Sequence, residues 1–415
     1  MTRFLKRVKS YFQIIEELDT AKFSTWAITS FIILSLLGVV LRYMQLFPLP
    51  AFNYMFLLHA HSHFAFAAWM FFSLAFLISD LVSGKRHSSA FEKVFIATLF
   101  SSFGMVVSFS FQGYKAISIA FSTLFILVTY RFTYLVLKDW NLNLKLNDIA
   151  KYLILGSLIL LCFSSLGPFA LGPIMATSHR GSPVYQNAIY YYLHFQMNGW
   201  MLLAVLGLLA NTCLKTERSL SKAERYWLIL FMGSNIPLFA IFTLWVNPAL
   251  WIWLVALVGS LIQLISWIVL CAQYSNKHQK FSFLVKAALL AITIKSILQV
   301  FVCIPEIAEW IFFNRNLIIG YIHLITLGCV SPIILDLFVK RNIFKSERGL
   351  SRTNLLYIWW VISYLVLLFL QPLLSVCGIN IPYFQMILLL ISLGFLIVGM
   401  LYFFQLKPLN SLSKA

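Results

Sequence analysis

Long apolar stretches separated by short polar loops dominate the pattern of this chain. An α-helix needs about 20 apolar residues to cross the hydrocarbon core of a bilayer, and windows of that kind follow one another along the whole sequence. The pattern therefore predicts an all-α fold, a polytopic membrane protein of twelve transmembrane helices. The predicted spans are 23–45, 53–79, 91–111, 116–137, 152–172, 188–212, 226–246, 249–273, 282–304, 317–339, 354–376 and 383–406.

The composition agrees with a membrane protein. Of 415 residues, 61% are hydrophobic and 11% are charged, which excludes a soluble domain with a polar surface. We expect one twelve-helix membrane domain over residues 23–406 and a cytoplasmic tail over 407–415. Residues 1–22 carry bases and an apolar stripe, as in a helix that lies on an anionic membrane surface. The lipid bilayer is thus the first predicted partner.

The net charge of +18 is distributed in a way that excludes a nucleic-acid binder. Basic residues crowd alternate loops, and this positive-inside bias sets orientation. We therefore predict that both termini are cytoplasmic and that the protein lies in a bacterial inner membrane. The predicted outer side holds few cations, namely Arg42, Lys115, Arg180 and Arg315, whereas the predicted inner loops hold Arg3, Lys6, Arg7, Lys9, Lys85, Arg86, Lys138, Lys145, Lys215, Arg218, Lys222, Arg225, Lys277, Lys280, Lys340, Arg341, Lys345, Arg348 and Arg352.

Two classes of function are weakened by what the spans lack. The six cysteines are scattered singly with no CxxC pair, so nothing indicates a zinc or iron–sulfur site. The thirteen Asp and Glu residues map to loops or span ends, and the two halves of the chain show no mutual similarity. Secondary transporters commonly have midplane carboxylates and internal repeats. Their absence weakens the case for a transporter without excluding one, so a secondary transporter with structural histidines is kept as the alternative function.

Three histidine positions fall at a common predicted depth. They are the run His59-Ala60-His61-Ser62-His63 in span two, His194 in span six and His323 in span ten. Each lies about six to ten residues from the predicted outer end of its span, or roughly 9 to 15 Å. Polar groups at this depth are costly and usually functional, although a single membrane histidine is often a hydrogen-bonded packing residue.

The chemistry of imidazole suggests a haem. Neutral imidazole binds haem iron and copper, and a low-spin haem takes two imidazoles from opposite sides. We predict a b-type haem between spans two and ten, with His323 as one ligand and His63 or His59 as the other. His59 and His63 share a helix face and His61 points the opposite way, so at most two of the three reach a common site. For His194 a second metal such as copper, a small gas molecule and a haem propionate are all left open.

These positions resemble those of the catalytic subunit of the haem-copper oxidases, a superfamily that includes the nitric oxide reductases. In that family, helix two supplies one axial ligand of the low-spin haem. Helix ten carries a His-x-His pair, in which the second histidine completes that haem and the first binds a high-spin haem. The sequence Tyr321-Ile322-His323 matches the second position and has tyrosine at the first. The resemblance thus implies that the low-spin haem is retained.

The resemblance is incomplete at the copper site. The family takes one copper ligand from helix six and two adjacent histidines from helix seven, and span seven here contains no histidine. An oxygen-reducing centre therefore lacks two of its three copper ligands. The run HAHSHFAFAAW is also similar to twelve-span haem proteins of the nitric oxide response. Together these resemblances imply a membrane oxidoreductase that passes electrons, or a protein that binds O2 or NO.

The remaining candidates would surround such a haem. Its propionates need cationic partners, for which we name Arg42 and Arg180, and Tyr321 is a predicted neighbour of the macrocycle. Lys295 and Gln299 lie one turn apart in span nine. The lysine either supports proton uptake, or it snorkels or pairs with a carbonyl. A quinol or cytochrome electron donor and other respiratory subunits are the partners expected of an electron-transfer role.

Overall fold

The structure is a computed structural model. It describes residues 2–83, 89–140, 146–177, 179, 181–214, 219–275, 281–345 and 347–407, with the backbone alone at 2–20, 275 and 347. Helices form all the regular secondary structure in these ranges, apart from an isolated β-bridge between Phe344 and Leu406. The all-α prediction is confirmed for this part of the chain.

Twelve helices in the described ranges are long and apolar enough to span a membrane, which confirms the predicted number of spans. The basic stretch before span one continues into it, because one helix runs unbroken from Thr2 to Tyr43. The orientation of the termini stays a prediction. The spans, numbered one to twelve, are Ala21–Tyr43, Tyr54–Ser83, Ser89–Gln112, Ala116–Asp139, Asp148–Ala176, Pro183–Cys213, Lys222–Val246, Leu250–Tyr274, Phe283–Phe301, Arg315–Lys340, Arg348–Val376 and Phe384–Gln405.

Local capping fixes where the histidine-bearing spans begin. The side chain of Asn53 accepts hydrogen bonds from the backbone N–H groups of Met55 and Phe56, which starts span two. Ser182 caps span six, and Pro183 follows at the first helical position. These starts place the span-two histidines five to nine residues into their helix and His194 eleven residues into its own.

Spans two, six and ten differ from the other nine in burial and in backbone. Their most apolar windows are 83%, 94% and 67% buried, against 33–50% for the others. Each also contains a seven-residue π-helical segment, at Ala65–Phe71, Phe195–Met201 and Leu324–Val330. Such segments are rare in proteins, and those that occur often lie at functional sites.

The residues divide into two compact units, each made of stretches that are separate in the sequence. Unit 1 comprises Met1–Leu144, Ile334–Tyr364 and Ile381–Ala415, and unit 2 comprises Lys145–Ile333 and Leu365–Asn380. The histidine triplet of span two therefore belongs to unit 1. His194 and His323 belong to unit 2.

Unit 1 is held together by aromatic packing and by an ion pair. The ring of Phe23 lies 4.8 Å from that of Phe95 and 5.8 Å from that of Phe76, measured between centroids. One turn beyond Phe76, Asp80 accepts a hydrogen bond of 2.9 Å from Nε of Arg341. The guanidinium also lies over the Phe76 ring. These contacts join spans one, two and three to one another and to the residue that follows span ten.

Unit 2 contains helices with interrupted backbones. Span five breaks at Ser165, and span seven passes through Ser234 into a short helix that contains Pro237. Span seven then becomes a 3-10 helix and ends at Asn247, whose φ of +49° is left-handed. Glycines let neighbouring spans approach closely, since a Cβ atom added at Gly207 would lie 2.9 Å from the side chain of Ile154.

Candidate functional site

The histidines of span two divide between its two faces. His63 stacks on Phe109 with ring centroids 4.5 Å apart and planes 14° apart, and its Nε2 lies 2.7 Å from the hydroxyl of Tyr114. His59 meets the Tyr114 ring edge-on, with centroids 4.7 Å apart. The prediction that His59 and His63 share a face is therefore confirmed. Both face the end of span three and the turn that follows it.

That turn depends on a glycine. Gly113 has a φ of +61°, and a Cβ atom added there would lie 2.4 Å from the ring of Phe56. Only glycine fits such a position, because it accepts positive φ and needs no room for a side chain. The turn brings Tyr114 over His63, a contact that sequence reasoning did not anticipate.

His61 faces span one instead. A Cβ atom added at Gly38 would lie 3.5 Å from Cε1 of His61, so the missing side chain leaves the imidazole close to the helix backbone. Arg42 lies one helical turn further along span one on the same face. Its guanidinium donates a hydrogen bond of 2.6 Å to the hydroxyl of Tyr364 on span eleven. Unit 1 therefore holds an imidazole and a half-buried cation on one side of span two.

His323 is oriented by its own helix. Its Nδ1 lies 2.8 Å from the carbonyl oxygen of Ile319. Because a carbonyl oxygen only accepts, the proton of a neutral imidazole lies on Nδ1 and the lone pair on Nε2. Metal-bound histidines commonly have this arrangement, with one ring nitrogen donating to a carbonyl and the other binding the metal.

His194 is fully buried and hydrogen-bonded at both ring nitrogens. Its Nε2 donates to the backbone oxygen of Asn235 at 2.8 Å, and Nδ1 lies 3.3 Å from Nδ2 of Asn198. A metal at either nitrogen would require one of these bonds to break. The contacts are those of a packing histidine, the alternative that the sequence left open, and its role as a metal ligand stays a prediction.

The bonds of His194 belong to a buried polar network in unit 2. Asn198 accepts a long hydrogen bond of 3.4 Å from the hydroxyl of Tyr321, which in turn accepts one of 2.8 Å from Nε2 of Gln299. One turn before Gln299, the amine of Lys295 donates to Gln263 at 2.6 Å. The structure thus joins Tyr321 to His194 through Asn198, and places Lys295 and Gln299 on the same face of span nine.

The three histidine positions are equivalent points of an internal repeat. His63 and His194 both begin the pattern His-Phe-x4-Trp, which ends at the fully buried Trp69 and Trp200, and the π-helical segments begin one or two residues after the histidines. His323 begins a third, weaker copy, with Leu324 in place of Phe and Cys329 in place of Trp, and its π-helical segment begins at the next residue. The spacing of about 130 residues is the signal in the sequence that could have revealed this repeat.

The predicted metal ligands do not assemble into a cluster of the usual kind. Among the described residues, no group of three or more His, Cys, Asp and Glu side chains could hold a metal ion. None of the six cysteines, all within the described residues, forms a disulfide. Of the predicted propionate partners, Arg42 is placed as above, whereas Arg180 lies outside the described residues.

No protein-family model matches this chain, and a search of curated proteins gives no significant match.

Proposed function

We propose that this chain is a haem-binding integral membrane protein that transfers electrons through a b-type haem. The orientation of His323 carries the proposal, because a hydrogen bond from Nδ1 to Ile319 leaves the lone pair of a neutral ring on Nε2. The resemblance to the haem-copper oxidases implies that an imidazole from span ten pairs with one from span two. A bound haem would supply one-electron chemistry or, as the alternative that the sequence also allows, a binding position for O2 or NO.

The contacts within unit 1 favour His61 as the span-two ligand over the His63 or His59 expected from the sequence. Phe109 and Tyr114 contact both His59 and His63, and Tyr114 engages Nε2 of His63. His61 instead packs against span one, where a Cβ atom added at Gly38 would lie 3.5 Å from its Cε1, on the helix face that also carries Arg42.

Arg42 fits the second requirement of a haem, a partner for its carboxylates. The guanidinium lies one turn from Gly38, on the same face of span one, and its bond to Tyr364 holds it in place. An arginine forms strong charge-assisted hydrogen bonds to carboxylates. Residues that would bind iron and a propionate are therefore adjacent within unit 1.

Copper and a second haem do not fit the residues of unit 2. Both nitrogens of His194 are engaged, and span seven approaches it with the backbone oxygen of Asn235. Tyr321, at the position of the family's high-spin haem ligand, is hydrogen-bonded to Asn198 and Gln299. This arrangement gives no support for oxygen reduction. A quinol or cytochrome donor and respiratory partner subunits stay predictions from the resemblance.

One observation favours the alternative, a secondary transporter. Spans five and seven are interrupted at Ser165 and Ser234, and interrupted membrane helices often form the substrate sites of transporters. The two proposals differ in the absorption of visible light, because a haem protein is coloured and a transporter with structural histidines is not.

The test is the optical spectrum of the full chain purified from a haem-replete host. We expect sharp absorption bands after reduction with dithionite, a b-type pyridine haemochrome and iron without copper. His323→Ala should lose the haem, because the substitution removes a ligand. His179→Ala is the matched control, since His179 is exposed and its Nδ1 lies 3.0 Å from the hydroxyl of Thr177, and it should retain the spectrum.

The same assay separates the histidines of span two. His61→Ala should reduce the bound haem sharply, whereas His59→Ala and His63→Ala should keep it. A colourless preparation would refute the haem proposal and favour transport. Haem retained in His61→Ala but lost in His63→Ala would restore the assignment expected from the sequence.

A further inference from the structure

A fully buried lysine lies in unit 2 without a carboxylate partner. Lys295 is 0% exposed, and its amine donates one hydrogen bond, of 2.6 Å, to Oε1 of Gln263. An ammonium group has three N–H donors, so Gln263 satisfies only one of them. No Asp or Glu of the described ranges lies within ion-pair distance of this amine. The ion pairs of the described ranges lie elsewhere and include Lys22–Glu92, Lys151–Asp148, Lys340–Asp336 and Arg341–Asp80.

A second unsatisfied donor lies next to this amine. Gln263 is also 0% exposed, and its Nε2 has no hydrogen-bond acceptor among the described residues. The two amide atoms of Gln263 share one planar group, so its free donor is held beside the lysine. Buried donors nearly always have an acceptor. The pair therefore points to an acceptor that the neighbouring side chains do not supply.

The titratable groups around Lys295 bring no negative charge. The thiol of Cys329 and the imidazole of His194 lie within electrostatic range of the amine, and Tyr321 lies within that range of Cys329. None of these side chains is a carboxylate. An uncompensated charge in a membrane interior is costly, so a charged Lys295 needs a counter-ion.

We propose that Lys295 and Gln263 form a binding site for a small monovalent anion. A protonated Lys295 carries one positive charge, so a single negative charge matches it, and the full burial of both residues favours a small ion. The backbone beside this network is irregular, at the π-helical segment that contains Asn198 and at the break of span seven before Asn235. Irregular backbone at membrane depth is commonly found at ion sites.

The test uses chloride and bromide as probes of the purified full-length protein. The protein is exchanged into gluconate buffer, and either halide is added at constant ionic strength while thermal unfolding is followed by tryptophan fluorescence. A ligand that binds only the folded state raises the unfolding midpoint with its concentration. We expect a saturating rise of about 2 °C or more for the natural chain.

Lys295→Met should abolish this rise. Lys151→Met is the matched control, because Lys151 is a partly exposed lysine of unit 2 that pairs with Asp148, and it should respond like the natural chain. Gln263→Leu keeps Lys295 and removes the whole amide, both the free donor and the acceptor of the lysine, so it should weaken the apparent halide affinity about tenfold. This variant, together with an anomalous bromide peak beside Lys295 in crystals, decides the matter if Lys295→Met does not fold.

Equal halide responses in the natural chain and Lys295→Met would overturn the proposal, as would a natural chain that responds to neither halide. The readout does not involve haem. A colourless protein with a Lys295-dependent halide response would refute the electron-transfer proposal and support this one, and a haem protein without that response would do the reverse.

Discussion

At the scale of single residues, two ion pairs of unit 1 differ in how far water reaches them. The side chains of Asp80 and Arg341 are each 21% exposed, and the guanidinium also covers the ring of Phe76. Lys22 and Glu92 are 45% and 43% exposed. Water weakens the attraction of exposed charges, so the first pair should contribute more to stability.

We therefore predict that Asp80→Asn destabilises the protein by about 1–3 kcal/mol, because it leaves a half-buried guanidinium without its counter-charge. Glu92→Gln should cost less than about 1 kcal/mol, as exposed pairs usually do. Thermal unfolding of both variants in the same detergent measures the difference. Equal losses would show that exposure does not set the strength of these pairs.

Residue contacts also show what the sequence could predict of the candidate site. Helical periodicity alone places His59 and His63 on one face and His61 on the other, and the structure confirms that division. Periodicity does not reveal which neighbour each face meets. Tyr114 reaches His63 only because Gly113 adopts a left-handed turn, a feature of the folded backbone.

At the scale of elements, spans two, six and ten repeat one design. A small residue follows each repeated histidine at the fifth position, namely Ala68, Gly199 and Gly328, and each lies in a π-helical segment. Similarity between halves of the chain is not expected from a repeat in thirds. Because two copies share the pattern His-Phe-x4-Trp, the repeat could have been predicted from the sequence. The π-helical backbone could not.

The small residue in the second copy should be essential for packing. A Cβ atom added at Gly199 would lie 2.9 Å from Cβ of Leu160 on span five, and neither backbone can yield easily at that position. We predict that Gly199→Ala separates spans five and six and destabilises the protein by about 1–3 kcal/mol. The unfolding midpoint of the purified variant measures this loss.

Gly233→Ala is the control for that substitution. An added Cβ atom meets nothing within 4 Å at Gly233, and its backbone has no positive φ. Alanine favours helices over glycine, so this change should be neutral or slightly stabilising. A Gly199→Ala protein as stable as the control would mean that spans five and six do not pack through this glycine.

At the scale of the whole molecule, the number of spans was predictable and the division into units was not. Bilayer thickness imposes a minimum apolar length that the sequence displays directly, and twelve such helices are present in the described ranges. The two units combine stretches such as Met1–Leu144 and Ile381–Ala415, which become neighbours only through tertiary contacts. Hydropathy contains no information on such contacts.

The positive-inside bias makes a prediction about orientation that a native cysteine can test. Cys377 is exposed in the turn between spans eleven and twelve, and all the other cysteines are buried or half-buried. With both termini cytoplasmic, this turn faces outward. A membrane-impermeant maleimide should therefore label intact spheroplasts at Cys377, and Cys377→Ser should lose most of the label.

The inner surface needs a reporter of its own. Ala223 is exposed near the start of span seven, where the same orientation places it on the cytoplasmic side. In a Cys377→Ser background, Ala223→Cys should react with the impermeant reagent only after the membrane is permeabilised. Labelling of Ala223→Cys in intact spheroplasts, together with no labelling of Cys377 in the natural chain, would invert the topology. The histidines of spans two, six and ten would then lie nearer the cytoplasmic face.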